Sequence, residues 1–205
     1  MKSHKNMKWV YHKNQLSLVT TNSEINFDSS YKKNNLYFYT WNPFTSKFAA
    51  SIFNGLEILP IFENTKLLYL TNLPNETLIH LSNFITSDGI IFLNHLHSSK
   101  LNKKNPYLSL NNIKLLNSNK DYLIDVSELL DIIIIDVDFD FENEFKLINN
   151  KLNKNGFLFF VQNTDMLLKK DNILKNDCFS GYDFLQKINL TDFFKNLTMI
   201  VAQKH

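Results

Sequence analysis

Arginine is absent from this 205-residue chain, and its 22 strongly basic residues are all lysine. That excludes forked, bidentate grips on phosphate or carboxylate, because a lysine ammonium acts as a point charge. The single cysteine, Cys178, excludes an internal disulfide framework and a cysteine-based zinc site, and suits a reducing compartment. Four glycines and four prolines exclude collagen-like, Gly-rich and Pro-rich low-complexity chains. No stretch reaches the roughly 20 apolar residues of a membrane span, so no membrane partner is expected. The Lys-rich first residues lack an apolar segment behind them and are expected not to form a secretory signal. A net charge of +2, with dispersed lysines, is too small to argue by itself for nucleic acid.

What is present describes a globular chain. Hydrophobic residues make up 44% and charged residues 20%, enough for one domain, or one domain with a small appendage. The 29 asparagines accompany Lys, Ile, Phe and Tyr, all served by A/T-rich codons. The bias therefore reads as coding drift rather than as a prion-like tract.

Apolar spacing organises the chain into two units, residues 1–38 and 39–205. In the first, Trp9 to Tyr11, Leu16 to Val19 and Tyr37 to Tyr39 read as short strands of an antiparallel β unit. In the second, Phe44, Phe48, Ile52 and Phe53 fall at helical spacing between Pro43 and Gly55. Strands are expected at 66–70, 90–93, 112–116, 130–137 and 157–161. Helices are expected at 77–85, 141–152 and around 180–187, with further strands near 188–190 and 198–202. Strands alternating with helices imply an α/β fold, a mostly parallel sheet with helices on both faces. In such sheets ligands sit beyond the carboxyl ends of the strands.

The candidate chemistry lies at those ends. A nucleotide or S-adenosylmethionine site usually wants a glycine-rich turn after the first strand, so that backbone N–H groups approach the ligand. Here Thr71, Asn72, Asn75 and Thr77 occupy that turn with no glycine. The second strand ends on Asn94 and His95 instead of an acid that would bond ribose hydroxyls. His95 and His97 lack the acids or cysteines that would complete a metal shell, so no metal is expected. Asp136 follows four isoleucines and stands at a strand's carboxyl end, where a carboxylate can orient or deprotonate a hydroxyl. The equally plain role for it is capping the next element. Asp138, Asp140 and Glu142 extend an acidic stretch without the spacing of a calcium loop. Lys47 lies in the first turn of its helix, where the dipole disfavours a cation. It is read either as an orienting cation or as a lysine lying over the apolar face.

The run Trp41-Asn42-Pro43-Phe44-Thr45-Ser46-Lys47-Phe48-Ala49-Ala50-Ser51-Ile52 resembles the opening of the methyltransferase domain in the fibrillarin family. The resemblance continues through Pro60-Ile61, Lys66 to Leu70, His80, Ser82, Gly89, Asn112-Ile113, Asp131 to Val137 and Asn155-Gly156. It implies a Rossmann-like S-adenosylmethionine-methyltransferase fold and methylation of the ribose 2′-hydroxyl of ribosomal RNA. The implied partners are a box C/D guide RNA, rRNA, a Nop-domain scaffold protein and a kink-turn-binding protein. The implied location is the nucleus and nucleolus. Lys47 and Asp136 match two catalytic positions of the family. The cofactor positions fall on Thr71, Asn72, Asn75, Thr77, His95 and Asn119.

The departures are equally specific. Only Thr77 matches in the cofactor turn. His95 and Asn119 stand where the family has acids, Gln162 or Asn163 where it has a lysine, and Leu197 where it has a histidine. Two readings follow: an enzyme with a rebuilt pocket and impaired catalysis, or a non-catalytic structural subunit of an rRNA-processing complex. Rivals outside the family are a dinucleotide-dependent reductase, disfavoured by the same missing glycines, and a general RNA-binding module using Lys32, Lys33, Lys103 and Lys104.

Overall fold

The computed structural model describes residues 7–12, 15–22, 30–33, 36–72, 75–86, 88–95, 110–116, 122–137, 141, 144–169 and 177–205. His97, Lys103, Lys104, Asn119, Asp138, Asp140 and Glu142 lie outside the described residues. Strands β1 (Met7–His12), β2 (Gln15–Asn22), β3 (Ser30–Lys33) and β4 (Leu36–Thr40) form an antiparallel sheet of order β1-β2-β4-β3. The polar stretch before Tyr37 thus contributes β3, a strand that hydrophobic patterning did not signal.

The larger sheet has the order β10-β11-β9-β8-β5-β6-β7. Its parallel part comprises β5 (Lys66–Thr71), β6 (Ile90–His95), β7 (Ile113–Leu115), β8 (Leu130–Asp136) and β9 (Leu152–Asn163). An antiparallel hairpin, β10 (Tyr182–Asn189) and β11 (Leu197–Lys204), is added at β9.

Period-two alternation divides the core. Leu67, Tyr69, Ile132, Ile134 and Phe159 pack with α1 (Lys47–Phe53) and α2 (Thr77–Phe84) on one face. Leu68, Leu70, Ile133, Ile135 and Phe160 pack with Phe145 and Ile148 of α3 (Phe145–Asn149) on the other. Both faces are therefore apolar, and the central strands read as continuous hydrophobic runs. A last short helix, α4 (Thr164–Lys169), follows β9. Among the described residues no helix is long and apolar enough to cross a membrane.

Three expectations are corrected. The helix expected around 180–187 is the edge strand β10. A register shift between Phe184 and Gln186 breaks the alternation, so Phe184, Leu185 and Ile188 fall at a spacing that mimics a helix. The helix expected over 141–152 is confined to Phe145–Asn149, because Leu152 already belongs to β9. Pro43 does not open α1. It sits inside a turn in which Thr45 N donates to Asn42 O at 3.3 Å, and proline suits the second turn position because its φ is preset. Gly89 is required by a close approach: a Cβ there would lie 2.6 Å from Thr65 O and 2.8 Å from Glu63 O.

The small sheet is pinned to α2 by a buried polar cluster. The Thr20 hydroxyl lies 2.8 Å from His80 Nδ1, and Asn83 Nδ2 donates to it at 2.8 Å. Trp41 stacks on the His80 ring, with centroids 4.4 Å apart and planes 14° from parallel. Burial pushes the His80 pKa from 6.5 down to about 3. With a folded pKa below the unfolded one, the native state binds fewer protons. Stability is then fully present above about 6.5 and is lost as pH falls toward 3. We expect about 2 kcal/mol of this loss between pH 7 and pH 5, absent in His80→Gln. Urea melts of both chains at the two pH values read the difference.

Candidate active site

The site is assembled where α1 and α2 begin, above the carboxyl ends of β5 and β8. Ser46 is the N-cap of α1: its Oγ accepts from Ala49 N at 3.1 Å. The same Oγ accepts from Trp41 Nε1 at 2.9 Å and lies 2.8 Å from the Thr77 hydroxyl at the start of α2. Ser46 is buried, so this hub sets α1 rigidly against α2. Next to it, the Thr45 hydroxyl donates to the Glu76 carboxylate. Burial pushes the Glu76 carboxyl above its usual range, while Thr45 and the Asn42 main chain pull it back.

With the helix start held in this way, Lys47 Nζ donates to Asp136 Oδ1 at 2.5 Å. The unfavourable position of Lys47 near a helix N-terminus is thereby explained by its partner. The Asp136 side chain is 10% exposed and that of Lys47 27%, so the carboxylate is enclosed while the ammonium retains access to solvent. Tyr69, buried in β5, donates from its hydroxyl to Asp136 Oδ2 at 3.0 Å. Burial pushes the Asp136 carboxyl above its ordinary value; Lys47 and Tyr69 act in the opposite direction. The Tyr69 phenol is raised well above its ordinary value, by burial first and by the Asp136 charge second.

The glycine-free turn is tied into the same network. Asn75 Nδ2 donates to the Tyr69 hydroxyl at 3.2 Å, and Asn75 Oδ1 accepts from Thr77 N at 2.9 Å. A closed circuit results, running Asp136, Tyr69, Asn75, Thr77, Ser46, Lys47 and back to Asp136. Thr71 is the register partner of both Asp136 and His95, so those three backbones lie side by side at the carboxyl ends of β5, β8 and β6. Thr71 is buried and Asn72 exposed. Gln162 and Asn163 end β9, with Asn163 paired to Leu197 at the start of the neighbouring antiparallel strand β11. His80, Ser82 and Asn112 play structural parts: the Ser82 hydroxyl donates to Asn112 Oδ1 at 2.6 Å.

Of the residues singled out in the sequence, the fold brings Lys47 and Asp136 into contact; Tyr69, Ser46 and Glu76, which join them in the network, were not singled out. Tyr69 carries no sequence signal beyond its place in an apolar strand, and Ser46 only the general N-cap preference. Asn94 supplies a test of whether a nucleoside-containing group fits. Its Oδ1 is buried at the carboxyl end of β6 and has no hydrogen-bond partner among the described residues. A buried acceptor without a donor is costly. The amine and hydroxyl donors of a nucleoside are the chemistry that would satisfy it, so the acceptors at these strand ends suit such a group.

Comparisons with known proteins bear on the family and the fold. The Fibrillarin family model matches residues 1–205. The fibrillarin-like rRNA/tRNA 2′-O-methyltransferase of Pyrobaculum aerophilum is 44% identical over 52 residues, 25% of this chain and 22% of that protein. The rRNA 2′-O-methyltransferase fibrillarin of Caenorhabditis elegans is 48% identical over 52 residues, 25% of this chain and 15% of that protein. The matched segment thus spans about a fifth of these curated relatives. Among solved structures, a Methanococcus jannaschii fibrillarin pre-rRNA processing protein aligns with TM-score 0.80 at 19% identity, covering 100% of this chain and 99% of that one. Aeropyrum pernix fibrillarin with natively bound S-adenosyl-L-methionine gives 0.78 at 17% identity, covering 98% and 96%. A fibrillarin/Nop5p complex gives 0.79 at 18% identity, covering 98% of each chain. At these identities the structural likeness establishes the fold.

Proposed function

Because this chain belongs to the fibrillarin family, we propose that it is a subunit of a box C/D ribonucleoprotein acting in rRNA processing and methylation of ribose 2′-hydroxyls. The observation that carries this reading is the Lys47–Asp136 pair at the carboxyl end of β8. An ionised carboxylate accepts at about four lone-pair sites, so Asp136 can take a hydrogen bond from a ribose hydroxyl while keeping Lys47 and Tyr69. Its burial-raised basicity makes it a better proton acceptor than a free carboxylate. Lys47 has further ammonium protons beyond the one given to Asp136, and these can hold the hydroxyl oxygen as negative charge develops. Tyr69 and Ser46 hold the two groups in register. S-adenosylmethionine would supply the electrophilic methyl group. Thr71, Asn72, Asn75, Thr77 and the end of β6 at Asn94 and His95 would hold it, with Asn119 assigned to it by resemblance.

The partners in this reading are a guide RNA and rRNA, a Nop-domain scaffold protein and a kink-turn-binding protein. The expected location is the nucleus, specifically the nucleolus. The structural likeness to the fibrillarin/Nop5p complex supports the scaffold partner, and the relatives named as rRNA methyltransferases support the substrate.

A second reading, a structural subunit without catalysis, is favoured by one observation. Asn75 takes up Thr77 N, so one backbone donor of the kind that a glycine turn would offer to a ligand is already satisfied internally. Calorimetric titration of the chain with S-adenosylmethionine, alone and with the scaffold protein, separates the two. Micromolar binding is expected for the enzyme; no heat in either setting would leave the structural subunit.

A further inference from the structure

Resting on the proposed action on RNA, the geometry points to Phe44 as a positioning residue whose ring stacks on a base of the acceptor RNA beside the ribose that Lys47 and Asp136 engage. Phe44 is 67% exposed, although large apolar side chains on α1 just beyond it are buried. Its backbone is nevertheless held. Phe44 N donates to Asn42 Oδ1 at 3.0 Å, and Asn42 O accepts from Thr45 N and Ser46 N at 3.3 and 3.1 Å. The ring makes a T-shaped contact with Phe193, with centroids 5.1 Å apart and planes at 76°. Phe193 in turn meets Phe53, and Phe53 meets Trp9. The contact holds the ring on one side while 67% of the residue stays exposed, so a stacking partner would order little that is not already ordered.

Location gives this ring its role. Two residues lie between Phe44 and Lys47, so their Cα atoms are at most about 11 Å apart. That is the reach between a ribose and its own or a neighbouring base. Composition strengthens the case. Proteins hold unpaired bases by stacking them on aromatic rings or on arginine guanidinium planes. This chain has no arginine, so aromatic rings must do more of that work. The polar groups of nearby Asn42 and Thr45 are spent on the turn and on Glu76.

The test uses the full chain and a short single-stranded RNA carrying 5-iodouridine, with ultraviolet crosslinks mapped by mass spectrometry and affinity read by fluorescence anisotropy. The expected result is a crosslink at Phe44 and roughly ten- to hundredfold weaker RNA binding in Phe44→Ala. Phe44→Tyr and Phe44→Trp should restore binding, and the melting temperature should not change. In an active particle the loss should fall on the RNA KM and spare kcat. Unchanged affinity in Phe44→Ala with no crosslink at Phe44 would overturn the assignment. So would a loss confined to scaffold-protein binding, which would make the ring a protein contact. RNA affinity is read without methyl transfer, so a chain that fails to bind S-adenosylmethionine still reports on Phe44.

Discussion

Asp136→Asn is expected to lower methyl transfer about 10²- to 10⁴-fold and at the same time to raise stability at neutral pH. The first effect follows from removing the proton acceptor while keeping the side-chain shape. An amide oxygen still accepts from Lys47, and its NH2 can donate to the Tyr69 oxygen, so the buried negative charge is removed at the cost of the acceptor for the Tyr69 proton. The second effect follows from the direction of the Asp136 shift. Burial raises the carboxyl above its ordinary value, and Lys47 and Tyr69 only partly offset that rise. A folded-state value above the unfolded one means that the native chain binds this proton more tightly. The corresponding stability is present below the ordinary carboxylate value and is lost as pH rises through the raised one. At pH 7 the ionised carboxylate is thus a burden on the fold that the asparagine variant does not carry. Urea melts from pH 4 to pH 7 should show the parent chain losing ground on the variant as pH rises. A variant less stable than the parent at pH 7 would mean that pairing with Lys47 outweighs burial.

Trp41→Ala should cost about 3–5 kcal/mol, the range for emptying a buried tryptophan site. Trp41 is 0% exposed. It stacks on His80 at 4.4 Å and on Phe48 at 5.8 Å, and it approaches Phe84 at 5.8 Å. Its Nε1 also donates to Ser46 Oγ, so truncation opens a cavity and removes a partner from the residue that starts α1. Total stabilities of domains run at about 5–15 kcal/mol, so the loss would be a large share. Because Lys47 follows Ser46, the damage should extend to the site. Trp41→Phe retains most of the ring contact but not the donor and should cost about 1–3 kcal/mol. Denaturant melts at pH 7 measure both. A loss below about 1 kcal/mol for the alanine variant would mean that the surrounding rings collapse into the space.

Both variants touch residues that stood out in the sequence, and this shows how far local pattern reaches. Strand β8 was legible because four consecutive isoleucines suit only a strand buried on both faces. The same run placed Asp136 at a carboxyl end. Helix α1 was legible from its apolar spacing, though its true start depends on Ser46 capping Ala49. Strand β10 was not legible. An edge strand with a shifted register loses the alternation that marks a strand. Strand β3 was missed because its sequence, Ser30-Tyr31-Lys32-Lys33, carries no apolar alternation.

The residues by themselves determined the α/β class, the order of the central strands along the chain and the family, and they singled out Lys47 and Asp136 as candidates. Each of these rests on local spacing or on a contiguous motif, which a linear string preserves. Tertiary structure decided what those groups became. Lys47 and Asp136 are 89 positions apart, and they meet because α1 begins above the edge formed by β5 and β8. The fold also turned Asn75 into a bridge between Thr77 and Tyr69, and Tyr69 into a donor to Asp136. A long-range hydrogen bond depends on sheet register and helix placement, and neither leaves a periodic trace in the sequence.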